Sequence, residues 1–422
     1  MHAFHYRRRT LWCEEVPLSR IARTVGTPCY VYSERTLRRH FRAFDDAFAG
    51  LAHITAFAVK ANPNLAILRL FAREGGGADV VSGGELYRAL AAGVDPARIV
   101  FAGVGKQTKE IHDALQARIL MFNVESHQEL ALIEKVSRHG GQRARVALRV
   151  NPDINPQTHP YISTGLKKSK FGVDIRQALE LYRSASRLRH IDVIGLHSHI
   201  GSQITQLGPF LDAVKKILRL IDRLREEWIN IRYLDLGGGL GITYKSETPP
   251  HPRALARALT PLLKPWLASG GTLIFEPGRV IVGNAGLLLT EVLYVKSGHP
   301  HPFVVVDAGM NDLIRPSLYD AYHQILPVAR RRARAQTVDV VGPICESGDF
   351  LAKGRRLPQS RPGELLAVMS AGAYGFAMAS NYNARPRAAE VLVQGGSFTV
   401  IRRRERYGDL IRGEFIPPSL RK

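Results

Sequence analysis

The chain has 422 residues, 45% hydrophobic and 23% charged, which is too long for one ordinary compact domain and typical in composition of a globular protein. No apolar run approaches the roughly 20 residues that span a bilayer, and no apolar stretch follows Arg7, Arg8 and Arg9, so neither a membrane span nor a secretory signal is expected. The net charge of +22 is spread along the chain, mostly as arginine, with its densest runs at Arg330-Arg331-Arg332 with Arg334 and at Arg402-Arg403-Arg404 with Arg406; neither is interleaved with aromatics, so attraction of anionic small molecules and polyanions is expected rather than specific nucleic-acid binding.

Near the N-terminus, Thr27–Tyr32 reads as a strand. From about residue 54 to 278, eight short apolar runs alternate with segments of helical period. The runs are Ile54–Lys60, Ala78–Ser82, Arg98–Gly103, Ile119–Glu125, Arg145–Asn151, Val193–Gly201, Tyr233–Gly239 and Thr272–Gly278. They are nearly continuously apolar, as expected of parallel strands buried on both faces. Between them, Asn64–Arg73 places Leu65, Leu68 and Phe71 on one stripe, and Gly84–Ala92 follows Ser82 as a candidate N-cap. Ser126–Val136 opens with Ser126 and Glu129 at capping-box spacing, and Pro209–Arg225 is the longest helical segment. Eight strands that each lead into a helix predict a (β/α)8 barrel over residues 33–282.

After Gly283 the pattern changes. Leu287–Lys296, Phe303–Ala308, Val338–Pro343, Glu364–Ser370, Ala389–Val393 and Ser397–Arg402 read as strands without long amphipathic helices between them. Residues 283–422 are therefore expected to form a mainly β domain, joined by residues 1–32. The three cysteines, Cys13, Cys29 and Cys345, form no CxxC pair. Neither a disulfide framework nor a structural zinc site is expected, and a reducing, cytoplasmic setting fits.

Active sites of such barrels form where the C-terminal strand ends converge. Lys60 closes the first run, His197 and His199 the sixth, Gly237-Gly238-Gly239 the seventh, and Glu276-Pro277-Gly278-Arg279 the eighth. Singly, each has an ordinary reading: a lysine reaching to solvent, a satisfied core histidine, a tight glycine turn. Jointly they describe an amine for Schiff-base chemistry, a backbone cradle for phosphate and an acid for a ring nitrogen, the parts of a pyridoxal-phosphate site.

The ordered segments FAVKANPN (57–64), DVVSGGEL (79–86), GLHSHIGSQ (195–203), LDLGGGLGI (234–242), EPGRVIVGNAG (276–286), VDAGMNDLIRPSLYDAYH (306–323), GPICESGD (342–349) and AGAYGFAMASNYNARPR (371–387) then carry a resemblance from about Val16 to the low 390s. The chain resembles the barrel-type pyridoxal-phosphate-dependent amino-acid decarboxylases, and within them the diaminopimelate decarboxylases. The resemblance implies the alanine-racemase-like fold and pyridoxal 5'-phosphate as cofactor. It also implies meso-diaminopimelate as substrate, with L-lysine and CO2 as products, and a homodimer with active sites shared across its interface.

Residue by residue, the resemblance makes Lys60 the residue that carries the cofactor and sets His199 against its ring. Ser202, Gly238, Gly239 and the segment Glu276, Pro277, Gly278, Arg279 would hold its phosphate end, with Tyr374. Glu276 would keep the pyridine nitrogen protonated, favouring decarboxylation over the racemisation of related enzymes that place arginine there. Cys345 matches the family's proton donor and would reach the neighbouring subunit's site, whereas Cys13 and Cys29 read as structural. Arg315 and Tyr319, assisted by Arg279, match contacts to the substrate's distal carboxylate, for which an arginine fork is suited; Glu346 matches the contact to its distal amine. A decarboxylase acting on ornithine or arginine has no such carboxylate to bind, whereas one acting on carboxynorspermidine is harder to separate. A noncatalytic relative would lack Lys60 or Cys345, and both are present. The loop expected to move over the site is Asn151–Lys170.

Overall fold

The structure is a computed structural model that describes residues 2–155 and 170–421; the loop expected to be mobile falls mostly outside these. The chain divides into two compact units, Leu37–Gly283 and Met1–Thr36 with Asn284–Lys422.

The first unit is a closed parallel barrel. Its strands are β1 (His53–Ala58), β2 (Gly77–Val80), β3 (Ile99–Phe101), β4 (Met121–Val124), β5 (Ala144–Asn151), β6 (Ile191–His197), β7 (Tyr233–Asp235) and β8 (Thr272–Phe275). Each pairs in parallel with the next, and β8 pairs with β1 to close the ring. Most strands stop short of the polar ends of the runs that announced them, because those ends turn off into the loops that carry the chemistry. Inside the ring, Ile54, Ala56, Val100, Leu120, Met121, Ala147, Ile194 and Ile274 form one buried cluster. Fully burying such a branched side chain contributes roughly 1.5–3 kcal/mol, and a filled interior leaves the strand ends as the place for polar groups.

Seven helices follow β1 to β7: α1 (Leu65–Arg73), α2 (Gly83–Ala91), α3 (Thr108–Gln116), α4 (His127–His139), α5 (Ile175–Ser186), α6 (Gly208–Glu226) and α7 (Pro252–Ala268). Their starts are written in the sequence. Asn64 Oδ1 accepts from Ala66 N at 3.0 Å, and Ser82 Oγ accepts from Glu85 N at 3.2 Å. Ser126 Oγ accepts from Glu129 N at 3.1 Å, but the reciprocal half of the expected capping box is different. The Glu129 carboxylate reaches one residue further back, to Glu125 N at 2.8 Å, because its other oxygen is held by Lys106 at 2.6 Å. The stripe expected on α1 also needs correction. Leu65 is 45% exposed, and the buried face is Ile67, Leu68, Leu70 and Phe71; as the first helical residue, Leu65 precedes the turn that faces the core.

The second unit is mainly β. Its principal sheet runs in the spatial order Phe350–Pro358, Ala335–Val341, Phe303–Val306, Gly286–Lys296, Cys29–Ser33, Ala389–Gln394 and Ser397–Arg402. Cys29–Ser33 lies between Gly286–Lys296, antiparallel, and Ala389–Gln394, parallel, so the N-terminal strand is internal to a sheet built from the other end of the chain. Features not read from the sequence include the hairpin Phe4–Arg7 with Thr10–Cys13, the helix Leu18–Val25, the short strand Ile325–Pro327, and the edge strand Phe350–Pro358, whose charged residues hide its period. Cys13 and Cys29 pack in the apolar core. Burial pushes the Cys13 thiol well up and that of Cys29 to about 12, so both are inert structural groups, as expected. Among the described residues, no helix is long and apolar enough to cross a membrane.

Candidate active site

The polar strand ends of the barrel meet at one rim. After β1 a single 3-10 turn, Val59–Ala61, buries Val59 and Ala61 and leaves Lys60 between them. The Lys60 side chain is 37% exposed, and its Nζ donates to Oδ2 of the fully buried Asp79, at the end of β2, at 2.5 Å. The end of β1 is tied to the segment after β8 by Ala58 N donating to Pro277 O at 3.2 Å, and that segment to the glycine loop by Glu276 N donating to Gly237 O at 2.8 Å. Lys60 and Glu276 are thus positioned by the same backbone framework.

The glycine loop needs its glycines for space. A Cβ on Gly238 would lie 2.3 Å from the carbonyl oxygen of Glu276, and one on Gly237, whose φ is +64°, would lie 2.7 Å from His199 Nδ1. That closeness lets Gly238 N donate to His199 Nδ1 at 3.2 Å, which orients the ring. His199 is pushed down to about 3 by loss of hydration, then by the charges of Arg149 and Lys60, so its ring is neutral near pH 7. The Arg279 guanidinium is fixed by two bonds to Ser202 Oγ, 3.2 Å from Nε and 3.1 Å from Nη2, and by Nη1 donating to Tyr244 Oη at 2.7 Å.

Below the rim lies an acid pair that the sequence reading did not single out. Asn123, from β4, donates through Nδ2 to Asp235 Oδ2 at 3.0 Å and to Glu276 Oε1 at 3.3 Å, while Gly237 N donates to Asp235 Oδ1 at 2.9 Å. His197 Nε2 is 3.6 Å from Glu276 Oε2. Burial would raise Glu276, but the charge of His197, and then that of Lys60, outweighs it and holds Glu276 well below the usual carboxylate range. Asp235 goes the opposite way, raised well above that range by burial and then by the charge of Glu276. The two shifts put the negative charge on Glu276 and the proton on Asp235. Asp79 is raised too, by burial and Glu276, with Lys60 opposing. His197, Asp235 and Glu276 come close enough, within 4.8 Å, to hold a cation; the Asn123 amide donates into that space and serves both carboxylates instead. Asp79, Asn123 and Asp235 had a legible signal: a lone polar residue at the end of a strand otherwise buried on both faces.

The β unit carries the other expected residues in two groups. Cys345 and Glu346 are exposed on a tightly held loop. Cys345 N donates to Asn383 Oδ1 at 2.8 Å, Tyr382 Oη to Glu346 Oε2 at 2.7 Å, and the Asp349 carboxylate accepts from Met310 N and Ile344 N, each at 2.6 Å. Arg315 and Tyr319 share the short helix Arg315–Tyr319; Arg315 is buried, its Nε 3.3 Å from His323 Nε2 and its guanidinium 5.9 Å from the Tyr319 ring centre. Tyr374 has φ +56°, a left-handed conformation that costs a bulky side chain energy.

The chain is similar to known proteins in sequence and in fold. Residues 34–283 match the family described as the pyridoxal binding domain of pyridoxal-dependent decarboxylases. The chain is 53% identical over 419 residues to the diaminopimelate decarboxylase of Pseudomonas aeruginosa, covering 99% of this chain and 100% of that one. It superposes on the diaminopimelate decarboxylase of M. jannaschii in complex with L-lysine with a TM-score of 0.94, at 40% identity and full coverage of both chains. The Helicobacter pylori diaminopimelate decarboxylase complexed with L-lysine gives a TM-score of 0.90 at 42% identity, covering 94% of this chain and 98% of that one.

The rim fits pyridoxal phosphate on its own geometry. It offers an amine at Lys60, bare backbone at Gly237–Gly239 and an ionised buried carboxylate at Glu276. It also holds buried polar atoms without hydrogen-bond partners, namely Asp79 Oδ1, Asn123 Oδ1 and Ser198 Oγ, which protein alone leaves unsatisfied.

Proposed function

The chain belongs to the diaminopimelate decarboxylase family, and we propose that it removes one carboxylate of meso-2,6-diaminopimelate to leave L-lysine and CO2, using pyridoxal phosphate. Near-full-length identity of about half to enzymes of that name carries this reading. The close approach of Lys60, the glycine loop and Glu276 at one barrel rim supports it chemically.

In this reading Lys60 holds the cofactor through its amine, with Asp79 fixing the Nζ position. The neutral ring of His199 lies against the cofactor ring without adding a charge. Ser202, Gly238, Gly239 and the backbone of the segment Glu276, Pro277, Gly278, Arg279 hold the phosphate end, joined by the hydroxyl of Tyr374. Bound pyridoxal phosphate supplies the electron sink for the pair of electrons left at Cα when CO2 departs. Glu276 keeps a proton on the pyridine nitrogen, and Asn123, Asp235 and His197 keep Glu276 ionised and in place. Cys345 Sγ returns a proton to Cα. Arg315 and Tyr319, with Arg279, bind the distal carboxylate, and Glu346 binds the distal ammonium.

A homodimer is part of the proposal. Cys345 and Glu346 lie exposed on a loop held by Asp349 and Asn383, which suits presentation to a second copy of the chain. The cytoplasm is its proposed location, in keeping with three cysteines that form no pair.

The test is CO2 release and amine identification with purified protein, cofactor, and meso-diaminopimelate, ornithine, arginine or carboxynorspermidine in parallel. Lysine from the first substrate alone is expected. Turnover of another substrate alone would discard the roles given to Arg315, Tyr319 and Glu346.

A further inference from the structure

The last stretch of the chain has no part in the chemistry above. In the β unit, strand Ser397–Arg402 is followed by one helical turn, Tyr407–Leu410, and then by turns and coil to Arg421. All of residues 411–421 are exposed. Among the described residues, the hydrogen bonds made by residues 406–421 stay within this stretch, from Arg406 N to Asp409 Oδ2 at 2.9 Å through to Arg421 Nε to Ile416 O at 3.0 Å. Yet Tyr407, Ile411, Phe415, Ile416 and Leu420 stand in it between 62% and 88% exposed.

A frayed, solvated terminus does not explain this arm. Solvated tails are polar, whereas this one carries a large apolar side chain at about every fourth position. Together the five side chains offer apolar surface on the order of 500 Å², a large part of the roughly 800 Å² that each partner buries in a stable interface.

The root of the arm points to what covers it. Glu405 Oε2 accepts from Asn381 Nδ2 at 2.7 Å and from Arg387 N at 2.9 Å. Asn381 adjoins Tyr382 and Asn383, the two residues that bond to Glu346 and Cys345. The arm therefore leaves the β unit beside the loop that the proposed homodimer presents to a second copy. Its charges favour no anionic surface. The arginine run ends before it, and within it Arg412, Arg421 and Lys422 are nearly balanced by Asp409 and Glu414.

We propose that residues 407–421 lie against a second copy of this chain and bury Tyr407, Ile411, Phe415, Ile416 and Leu420 there, in the interface that carries Cys345 to the neighbouring subunit's site. This rests on the homodimer reading above and adds the segment that sets how tightly the two copies hold. In a two-fold dimer both arms are buried, so each substitution acts twice.

The experiment is sedimentation of the holoenzyme over a dilution series, with activity measured at each concentration. Phe415→Ser/Ile416→Ser should raise the dimer dissociation constant by about 100-fold or more, from apolar burial lost on both copies. Its activity should fall at correspondingly higher protein concentration and return to the parent's when concentrated, because each site needs the other copy's thiol. Trp228→Ser should dimerise as the parent does. Trp228 is 96% exposed and follows α6, which places it at the barrel face opposite the rim. Benzoylphenylalanine in place of Phe415 should give covalent dimers on illumination, a readout that keeps the arm otherwise intact. A double variant that dimerises like the parent overturns the proposal, as does equal weakening by Trp228→Ser or cross-linking confined to single chains. So does saturable binding of the parent to phosphatidylglycerol vesicles that the double variant loses, which would make the arm a membrane contact. A parent that is active as a monomer would overturn the homodimer reading itself, whereas a dimeric parent with an unchanged double variant would overturn the arm's role alone.

Discussion

Lys106 offers the sharpest test of how the barrel supports its rim. Its side chain is fully buried and its ammonium spends all three donors: on Gly103 O at 2.9 Å, Asn123 O at 2.9 Å and Glu129 Oε1 at 2.6 Å. Lys106→Met keeps the aliphatic stem but strands the Glu129 carboxylate away from its cation. Removing one partner of such a pair costs about 3–5 kcal/mol. The double variant Lys106→Met/Glu129→Gln removes the stranded charge and keeps an acceptor for Glu125 N, so roughly 1–3 kcal/mol of that loss is regained. The sign with pH follows from Glu129. Burial raises its folded pKa, with Lys106 opposing, and without Lys106 it rises further. The folded variant then binds a proton that the unfolded chain releases above the ordinary glutamate value. Its deficit is therefore smallest at or below about pH 4.5 and grows as pH rises through the folded pKa. Urea unfolding of parent, single and double variants at several pH values measures all of this. A single variant within about 1 kcal/mol of the parent, or a double variant no better than the single, would refute the account. Cofactor affinity should fall with stability, because Lys106 clamps the backbone of Asn123, whose amide holds Glu276.

Glu276→Gln should lower CO2 release by about 100- to 1000-fold through loss of the charge opposite the ring nitrogen, measured at saturating cofactor; turnover near the parent's would remove Glu276 from its role. Gly238→Ala drives a Cβ against backbone 2.3 Å away, so cofactor affinity should drop by about tenfold or more, since backbone yields little; unchanged titration curves would contradict the geometry. Cys345→Ala, on an exposed loop, should leave stability within about 0.5 kcal/mol yet slow turnover by about 100-fold or more, read by parallel unfolding and product assays. Burial raises Glu85 to about 7; its folded pKa lies above the unfolded one, so it costs stability progressively from about pH 4.5 upward, the loss levelling off above pH 7. Glu85→Gln should flatten that part of the stability profile, and a curve parallel to the parent's would count against it.

What the sequence alone determined was what local rules control. Short continuous apolar runs alternating with helical segments read as strands covered on both faces, and Asn64, Ser82 and Ser126 start helices because their side chains satisfy free N–H groups within the next three residues. The rim residues Lys60, His199, Gly238 and Glu276 were legible because strand ends place them by position in the chain, and the family's segments named the rest. Exposure of Leu65 and the rerouted Glu129 carboxylate were not legible, since each depends on a partner or surface brought up by tertiary packing. The acid pair is the clearest case. Asn123, Asp235 and Glu276 lie far apart in the chain, and only closure of the ring brings them together. Which carboxyl keeps its proton is decided there too, by burial and by the charges of His197 and Lys60.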